Sequence, residues 1–456
     1  MTSFERFETR VPELLDELAV PRLPDYADDL FARTAATRQR PGWTFPERWP
    51  FMSTLTRSLA GMPRIPWRLG VLIALLVVAA ITAVLVAGTL LNQAPPPYGI
   101  AANGRIAMVD DHGHIVLGDP STGVLTTLVS ASGNYSDPLF SQDGRRLAYL
   151  VHTGASTVDV MVAGVDGSAL VKLNPTPIID PTYAAWSGQG DRFLVVTSAG
   201  RALLYDTSRT AEPFELSSAM GTPGGISVGL GYNFRSTAAF RPPSSQEIAF
   251  IAAGDRPSLK AIAPDGTGLR TIIDGNTSSV PYWGMKGAEW SPDGTRLLVL
   301  LNQGQTADRW HLFVVNADGT DLRALGDVSA NPLADVNSPL WSPDGSRIAF
   351  QYWISHTSDD GQDFEPIGVI DAVSGTQHDV GPIFTNGYVS WDWSPDGTSI
   401  VEVPGDQAQG SDCTASGGCN PVAGGQILLI DATTGKVTPA PWQANTPITM
   451  QRLARR

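Results

Sequence analysis

Six aromatic residues recur about every 50 residues, and this repeat constrains the fold of the 456-residue chain more than any other feature. Each aromatic is followed by a turn sequence and then by a short apolar strand. The six are Phe140, Trp186, Phe240, Trp290, Trp341 and Trp393, at intervals of 46, 54, 50, 51 and 52 residues. Units of this length with two hairpin signals each are typical of four-stranded blades arranged in a ring. The chain from residue 100 onward is therefore predicted to be an all-β propeller.

The turn is intact in three copies, which read Trp-Ser-Pro-Asp-Gly. Pro presets the first corner of the turn, Asp bonds the local backbone, and Gly takes the left-handed conformation that closes the hairpin. Structural roles in the repeat are assigned to Trp290, Asp293, Gly294, Trp341, Asp344, Gly345, Trp393, Asp396 and Gly397. The turns after Trp186 and Phe240 depart from this pattern, so their blades are predicted from spacing and from the flanking strands.

The two ends of the repeat region each carry a strand without a complete blade. The strand Gly104–Met108 has no aromatic strand before it, and residues 447–454 form a strand at the chain end. Pairing these two strands would complete a blade and would remove the exposed sheet edges of an open ring. The prediction is a seven-bladed β-propeller closed by its C-terminal strand.

These units resemble the WD40-like repeats of the TolB family and of other bacterial propeller proteins. The resemblance covers about residues 100–455 and rests on the three intact Trp-Ser-Pro-Asp-Gly copies. It implies a binding platform and no particular ligand, because fold does not determine function.

An uncharged stretch, Leu69–Leu91, predicts one transmembrane helix and so a lipid bilayer as partner. Its 23 residues would span about 34 Å as a helix, which is enough for a bilayer core. Seven Arg and one acidic residue lie between Arg33 and Arg68, which predicts a cytoplasmic N-terminus and an extracytoplasmic propeller. The predicted organisation is a cytoplasmic segment 1–67, the membrane helix 68–92, a Pro-rich linker 93–99 and the propeller 100–456.

The N-terminal segment has one apolar helical face, which comprises Phe4, Phe7, Val11, Leu14, Leu15 and Leu18. This face is predicted to bind a partner, and packing on the inner leaflet is the alternative. The layout resembles that of membrane-anchored anti-sigma factors, which implies a cytoplasmic sigma factor as partner. Residues 1–67 contain no His and no Cys, so the zinc site of the zinc-binding anti-sigma class is excluded.

Charge separates the two parts of the chain. The net charge is −14, and residues 1–68 contribute ten Arg and nine acidic residues, so the remainder carries −15. An acidic outer domain argues against nucleic acid as a partner, since phosphate binding needs clustered cations. The two cysteines, Cys413 and Cys419, are spaced so that a disulfide is feasible outside the cell, although two unpaired thiols fit the same loop.

Signals for catalysis are weak in the sequence. Gly225–Gly229 matches the Gly-x-Ser-x-Gly pattern around Ser227, but it lies in a Gly-rich stretch between blades instead of a strand–turn–helix. His112 and His114 fit a hairpin turn as well as a metal site. The chain is therefore expected to be no enzyme, with no catalytic residue, cofactor or metal site. It is interpreted as a membrane-bound sensor or regulator, with a passive envelope interaction platform as the alternative and a hydrolase as a third interpretation.

Overall fold

The structure, a computed structural model, describes a subset of the chain. The described residues are 75–79, 98–110, 112–130, 134–221, 226, 238–303, 310–326, 334–354, 367–380, 390–403 and 425–455. The chain divides into two compact units, residues 1–91 and 92–456. Residues 75–79 are helical, and the rest of the predicted membrane span lies outside the described residues. Within the described ranges no helix has the length and apolar character needed to cross a membrane, so the preceding helix stays a prediction.

The described part of the second unit is built from short antiparallel strands. In chain order they are β1 (Ala102–Val109), β2 (Ile115–Gly118), β3 (Leu125–Val129), β4 (Tyr135–Phe140), β5 (Arg146–His152), β6 (Thr157–Gly164), β7 (Val171–Lys172), β8 (Ile178–Ile179), β9 (Pro181–Trp186), β10 (Arg192–Thr197), β11 (Ala202–Asp206), β12 (Phe214–Glu215), β13 (Ala238–Phe240), β14 (Ile248–Ala252), β15 (Ser258–Ile262), β16 (Arg270–Ile273), β17 (Gly284–Trp290), β18 (Arg296–Asn302), β19 (Trp310–Asn316), β20 (Arg323–Ala324), β21 (Ala334–Trp341), β22 (Arg347–Ile354), β23 (Ile367–Asp371), β24 (Gln377–Val380), β25 (Ser390–Trp393), β26 (Ser399–Val403), β27 (Gly425–Asp431) and β28 (Val437–Leu453). A short 3₁₀ turn, Leu216–Ser218, follows β12.

The strands form seven blades. Blades 1 to 5 are separate sheets, which are β4–β7 with β8, β9–β12, β13–β16, β17–β20 and β21–β24. The remaining sheet has seven strands in the order β25-β26-β27-β28-β1-β2-β3 and contains blades 6 and 7. The first half of the 17-residue strand β28 pairs with β27 as the outer strand of blade 6, and its second half pairs with β1 as the inner strand of blade 7. The predicted seven-bladed fold is confirmed.

The ring is closed between the two ends of the propeller sequence. Ala102 lies opposite Leu453, and Ile106 lies opposite Met450 in the antiparallel pair of β1 and β28. This is the pairing that the two incomplete strands predicted, because neither could form a blade alone. The closing strand lies inside the seven-stranded sheet, between β27 and β1.

Apolar side chains fill the spaces between neighbouring blades. Seven buried clusters occupy the seven interfaces, one per interface. Between blades 4 and 5, for example, Leu298 and Leu300 of β18 share a cluster with Trp341 of β21. Strand alternation explains this arrangement, because the two faces of each blade both contact another blade and both must be apolar.

Candidate functional site

The Trp-Ser-Pro-Asp-Gly turns have the same hydrogen bonds in each intact copy. Asp293 accepts bonds from the Ser291 hydroxyl (2.5 Å) and from the Thr295 amide (3.0 Å). Asp344 and Asp396 accept the equivalent bonds. Gly294, Gly345 and Gly397 have φ values of 67°, 69° and 73°. A Cβ atom at Gly294 would overlap the Pro242 carbonyl, so glycine is required there for space as well as for φ.

The aromatic residues link each blade to the one before it. The indole N–H groups of Trp186, Trp290 and Trp393 donate to the carbonyls of Leu139 (3.0 Å), Ala239 (3.2 Å) and Leu340 (3.1 Å). In each case the acceptor precedes the aromatic residue of the neighbouring blade. An Arg from that neighbour covers each ring, as Arg347 does over Trp393 at 5.1 Å from the ring centre. The anchors therefore join blades through their polar atoms as well as through their apolar surface.

Replacement of Trp393 by Phe is expected to destabilise the propeller by about 1–3 kcal/mol, from one lost hydrogen bond and a partly filled space. Trp393 is 4 % exposed, whereas Trp283 is 45 % exposed. The change Trp283→Phe is therefore the matched control, and it should alter the free energy of unfolding by less than about 0.5 kcal/mol. Chemical denaturation of both variants measures this. Equal effects of the two substitutions would contradict the role assigned to Trp393.

A cavity of about 250 Å³ lies on the propeller axis, at the end where the Trp-Ser-Pro-Asp-Gly turns are found. Its wall is made largely by one repeated position, the residue immediately before each aromatic anchor. These residues are Leu139, Ala185, Ala239, Glu289, Leu340 and Asp392, together with Thr449 of the closing strand. Because the inner strand of each blade faces the axis, a single sequence position lines the cavity in every blade.

Charge in this cavity is unbalanced. Glu289 of blade 4 and Asp392 of blade 6 supply two carboxylates, and Arg452 of blade 7 supplies one guanidinium group. Burial lowers the pKa of Arg452 to about 10, while Asp392 and Tyr98 favour its charged form. Burial also raises the pKa of the Tyr98 hydroxyl, which lines the same cavity. Two carboxyl groups therefore face one guanidinium group in a cavity with both polar and apolar walls.

A second polar cluster lies on the first two strands of blade 1, β4 and β5. The Ser136 hydroxyl donates to Asp137 Oδ2 (2.6 Å) and lies 2.9 Å from His152 Nε2. Burial raises the pKa of Asp137, against the opposing effects of Ser136 and His152. Asp137 has φ of 53°, whereas Gly287 occupies the corresponding bulge of blade 4 with φ of 73°. A carboxyl group in a strained, half-buried position where glycine would suffice is a feature found at functional sites.

One further carboxyl is buried outside the cavity. Glu402 of β26 is 2 % exposed and lies opposite Trp391 in the register of blade 6. Burial raises its pKa to about 8. Among the described residues, neither Glu402 Oε2 nor the indole nitrogen of Trp391 has a hydrogen-bond partner.

Several residues singled out in the sequence cannot be placed. Cys413, Cys419, Ser227 and the N-terminal apolar face that begins at Phe4 lie outside the described residues. His112 and His114 form a hairpin turn in which both amides donate to Asp110 Oδ1. The described residues contain no group of three or more His, Cys, Asp or Glu placed to hold a metal ion.

The cavity residues were not predicted from the sequence. Glu289 and Asp392 each precede an anchor tryptophan, and that position could have been inspected across the repeats as a candidate channel lining. Tyr98 lies in the predicted Pro-rich linker, and Arg452 belongs to the strand predicted to close the ring. Their convergence depends on ring closure, which the local sequence does not reveal.

Comparisons with known proteins identify the fold. No protein-family model matches the chain, and no curated protein sequence matches it. A prolyl endopeptidase structure aligns with a TM-score of 0.50 at 14% identity, over 77% of this chain and 50% of that one. Oligogalacturonate lyase from Vibrio parahaemolyticus aligns with a TM-score of 0.48 at 13% identity, over 75% and 85% of the two chains. TolB from Acinetobacter baumannii aligns with a TM-score of 0.42 at 14% identity, over 78% and 81%.

These solved structures share the propeller fold, and at such identities the likeness shows the fold alone. TolB proteins are among them, as the repeat suggested. Enzymes are among them too, including the prolyl endopeptidase. This contradicts the prediction that the chain is not an enzyme, because the same propeller fold occurs in enzymes.

Proposed function

We propose that this protein is a membrane-anchored propeller that binds a cationic group in its central cavity. The observation that carries the proposal is the pair of carboxylates, Glu289 and Asp392, set against the single guanidinium of Arg452 in a cavity on the axis. Opposite charges attract more strongly in a partly enclosed site than in water, so an excess of carboxyl groups over guanidinium groups there favours a cation.

The size of the cavity restricts the ligand. Pockets for drug-sized molecules measure roughly 300–1,000 Å³, and this cavity measures about 250 Å³. A primary amine or guanidinium group fits, either on a small molecule or on a side chain of a peptide. The apolar wall from Leu139 and Leu340 would contact the aliphatic part of such a group.

Binding of agmatine or putrescine to the full chain, measured by calorimetry, tests this function. The change Glu289→Gln is expected to weaken binding by about 10- to 100-fold, as for the loss of one charge-assisted hydrogen bond. Asp392→Asn should act in the same direction. Glu212→Gln, which alters an exposed acid on blade 2, is the matched control. Equal binding of small carboxylates, or no effect of either cavity substitution, would contradict the proposal.

Membrane attachment and signalling are the finer parts of the proposal. The uncharged stretch Leu69–Leu91 and the seven Arg before it support a single span with the propeller outside the cytoplasm. The N-terminal apolar face would then be free to bind a cytoplasmic partner such as a sigma factor. Affinity capture with the full chain, compared with a Leu14→Asp, Leu18→Asp variant, tests the partner. Recovery of the same proteins by both would favour the passive platform.

A second candidate function is catalysis by proton transfer, and the Ser136–Asp137–His152 cluster favours it. Asp137 is a stronger base than an ordinary aspartate, because burial raises its pKa. The Ser136 hydroxyl lies within hydrogen-bond distance of both Asp137 and His152, so a proton could pass between them. Labelling by a fluorophosphonate that is lost in Ser136→Ala, and kept in Ser141→Ala, would support a nucleophilic serine.

A further inference from the structure

Residues 98–101 cross the mouth of the cavity. The Ala101 amide donates to the Pro395 carbonyl of blade 6 (2.8 Å), and Arg452 of blade 7 donates to the Gly99 carbonyl (2.5 Å). The Tyr98 hydroxyl then lies 3.3 Å from Ser245 Oγ of blade 3. Blades 7 and 3 are on opposite sides of a seven-bladed ring. The four residues therefore form a strap across the channel, and Tyr98 and Gly99 line the cavity.

The far end of the strap contacts the two turns that depart from the repeat. In the intact turns the residue immediately after Trp-Ser is proline, as at Pro292, and proline has no N–H to donate. Blade 2 has Gly188 at this position, and the Gly188 amide donates to Ser245 Oγ (2.7 Å). The two divergent turns, those after Trp186 and Phe240, are thus joined at the Ser245 hydroxyl, which also contacts Tyr98.

The residue that carries this hydroxyl, Ser245, has an unfavourable backbone conformation. Its φ is 57°, in the left-handed region that glycine occupies in the intact turns. Glycine would adopt this conformation at less cost. A serine that is buried and held by Gly188 is therefore better explained by its contact with Tyr98 than by the needs of the turn.

We propose that the divergent turns of blades 2 and 3 form a socket for Tyr98, and that the strap is a removable wall of the cavity. Tyr98 is then a ligand-contacting residue supplied by the C-terminal end of the predicted Pro-rich linker. Occupancy of the cavity and docking of the strap affect each other by equal free energies, since each changes the surface that the other contacts. The proposal of a strap is supported by the hydrogen bonds of residues 98–101, and it does not depend on which ligand the cavity binds.

Three variants of the full chain test the socket, namely Ser245→Gly, Tyr98→Phe and the two combined. Hydrogen exchange of the Ala101 amide should rise by about two- to tenfold in each, the change that one neutral hydrogen bond supplies. Exchange in the double variant should be only slightly faster than in either single variant, because both substitutions remove the contact between Tyr98 and Ser245. The thermal midpoint of Ser245→Gly should change by only a few degrees, because relief of the left-handed conformation offsets the lost acceptor of the Gly188 amide. Ser244→Gly, at the exposed neighbouring serine, is the matched control.

Access to the cavity is the second readout. The side chain of Ala239 lines the cavity, so Ala239→Cys, in a chain with Cys413→Ser and Cys419→Ser, reports on reagents that enter from this end. Its labelling rate should rise in Ser245→Gly and Tyr98→Phe and stay constant in Ser244→Gly. Unchanged exchange in both variants, or faster exchange without faster labelling, would overturn the proposal. If exchange and labelling both become faster as expected but no amine binds, only the proposal of a cationic ligand is rejected.

Discussion

A chain that lacks residues 447–456 is expected not to form a stable propeller. Burial of Ile448 and Met450, which are 3 % and 7 % exposed, contributes about 1.5–3 kcal/mol for each side chain. The deletion also removes hydrogen bonds from Thr449 to the Pro138 carbonyl (3.1 Å) and from Gln451 to the Gly144 carbonyl (2.6 Å). These losses approach the total stability of a typical domain, about 5–15 kcal/mol. They also leave β1 and β4 without the neighbour that separates them from solvent.

Circular dichroism and thermal unfolding of the truncated chain measure this effect. The matched control ends at Leu453, so it keeps all of β28 and loses only residues 454–456. That chain should unfold within a few degrees of the intact protein. A truncated chain that lacks residues 447–456 and still unfolds cooperatively at the same temperature would show that ring closure does not stabilise the fold.

Replacement of Glu402 by Gln is expected to stabilise the protein at neutral pH. The pKa of Glu402 is about 8 in the folded state, raised by burial from an ordinary value of 4.5. The folded protein therefore holds a proton that the unfolded chain releases between these pH values. The free energy of unfolding should fall by about 1.4 kcal/mol for each pH unit in this window, or about 3 kcal/mol by pH 7. Gln cannot ionise, so the variant should lack this slope.

Denaturation at pH 5, 6, 7 and 8 tests the sign as well as the size. Below pH 4.5 the two proteins should have similar stability, and the advantage of the variant should grow up to pH 8. Glu247→Gln is a control of opposite sign, because Arg270 and Arg241 lower the pKa of Glu247. That variant should be less stable than the natural chain at pH 7. The difference in stability should shrink as the pH falls below the ordinary pKa of a glutamate. A Glu402→Gln variant with an unchanged pH dependence would contradict the prediction.

The ring and its blade count could be predicted because the relevant signals are local and repeated. Trp341 and Gly345 each report on a turn that needs those residue types whatever surrounds it. The closing strand was recognised from its lack of neighbours in the sequence. Even the blade with Phe240 was found by spacing, although Ser245 there takes the conformation that glycine has elsewhere.

The site could not be predicted because its chemistry comes from residues that are distant in sequence. Asp392 and Arg452 influence one another only because blades 6 and 7 adjoin. Glu402 alternates with apolar residues as an outward-facing acid would, and its burial follows from the packing of a neighbouring blade on both faces of the sheet. Periodicity predicts which residues share a face, but it does not reveal that both faces are covered.

The pairing of Ala102 with Leu453 also affects how long the nascent protein stays incomplete. These residues are 351 positions apart. At about 5–20 residues per second, a ribosome needs roughly 20–70 s to synthesise the intervening chain. Throughout that interval β1 has been made but its partner in the ring has not, so one edge of the growing domain lacks its backbone bonds. Such edges pair readily with other chains, and the first blade to leave the ribosome is thus the last to be finished.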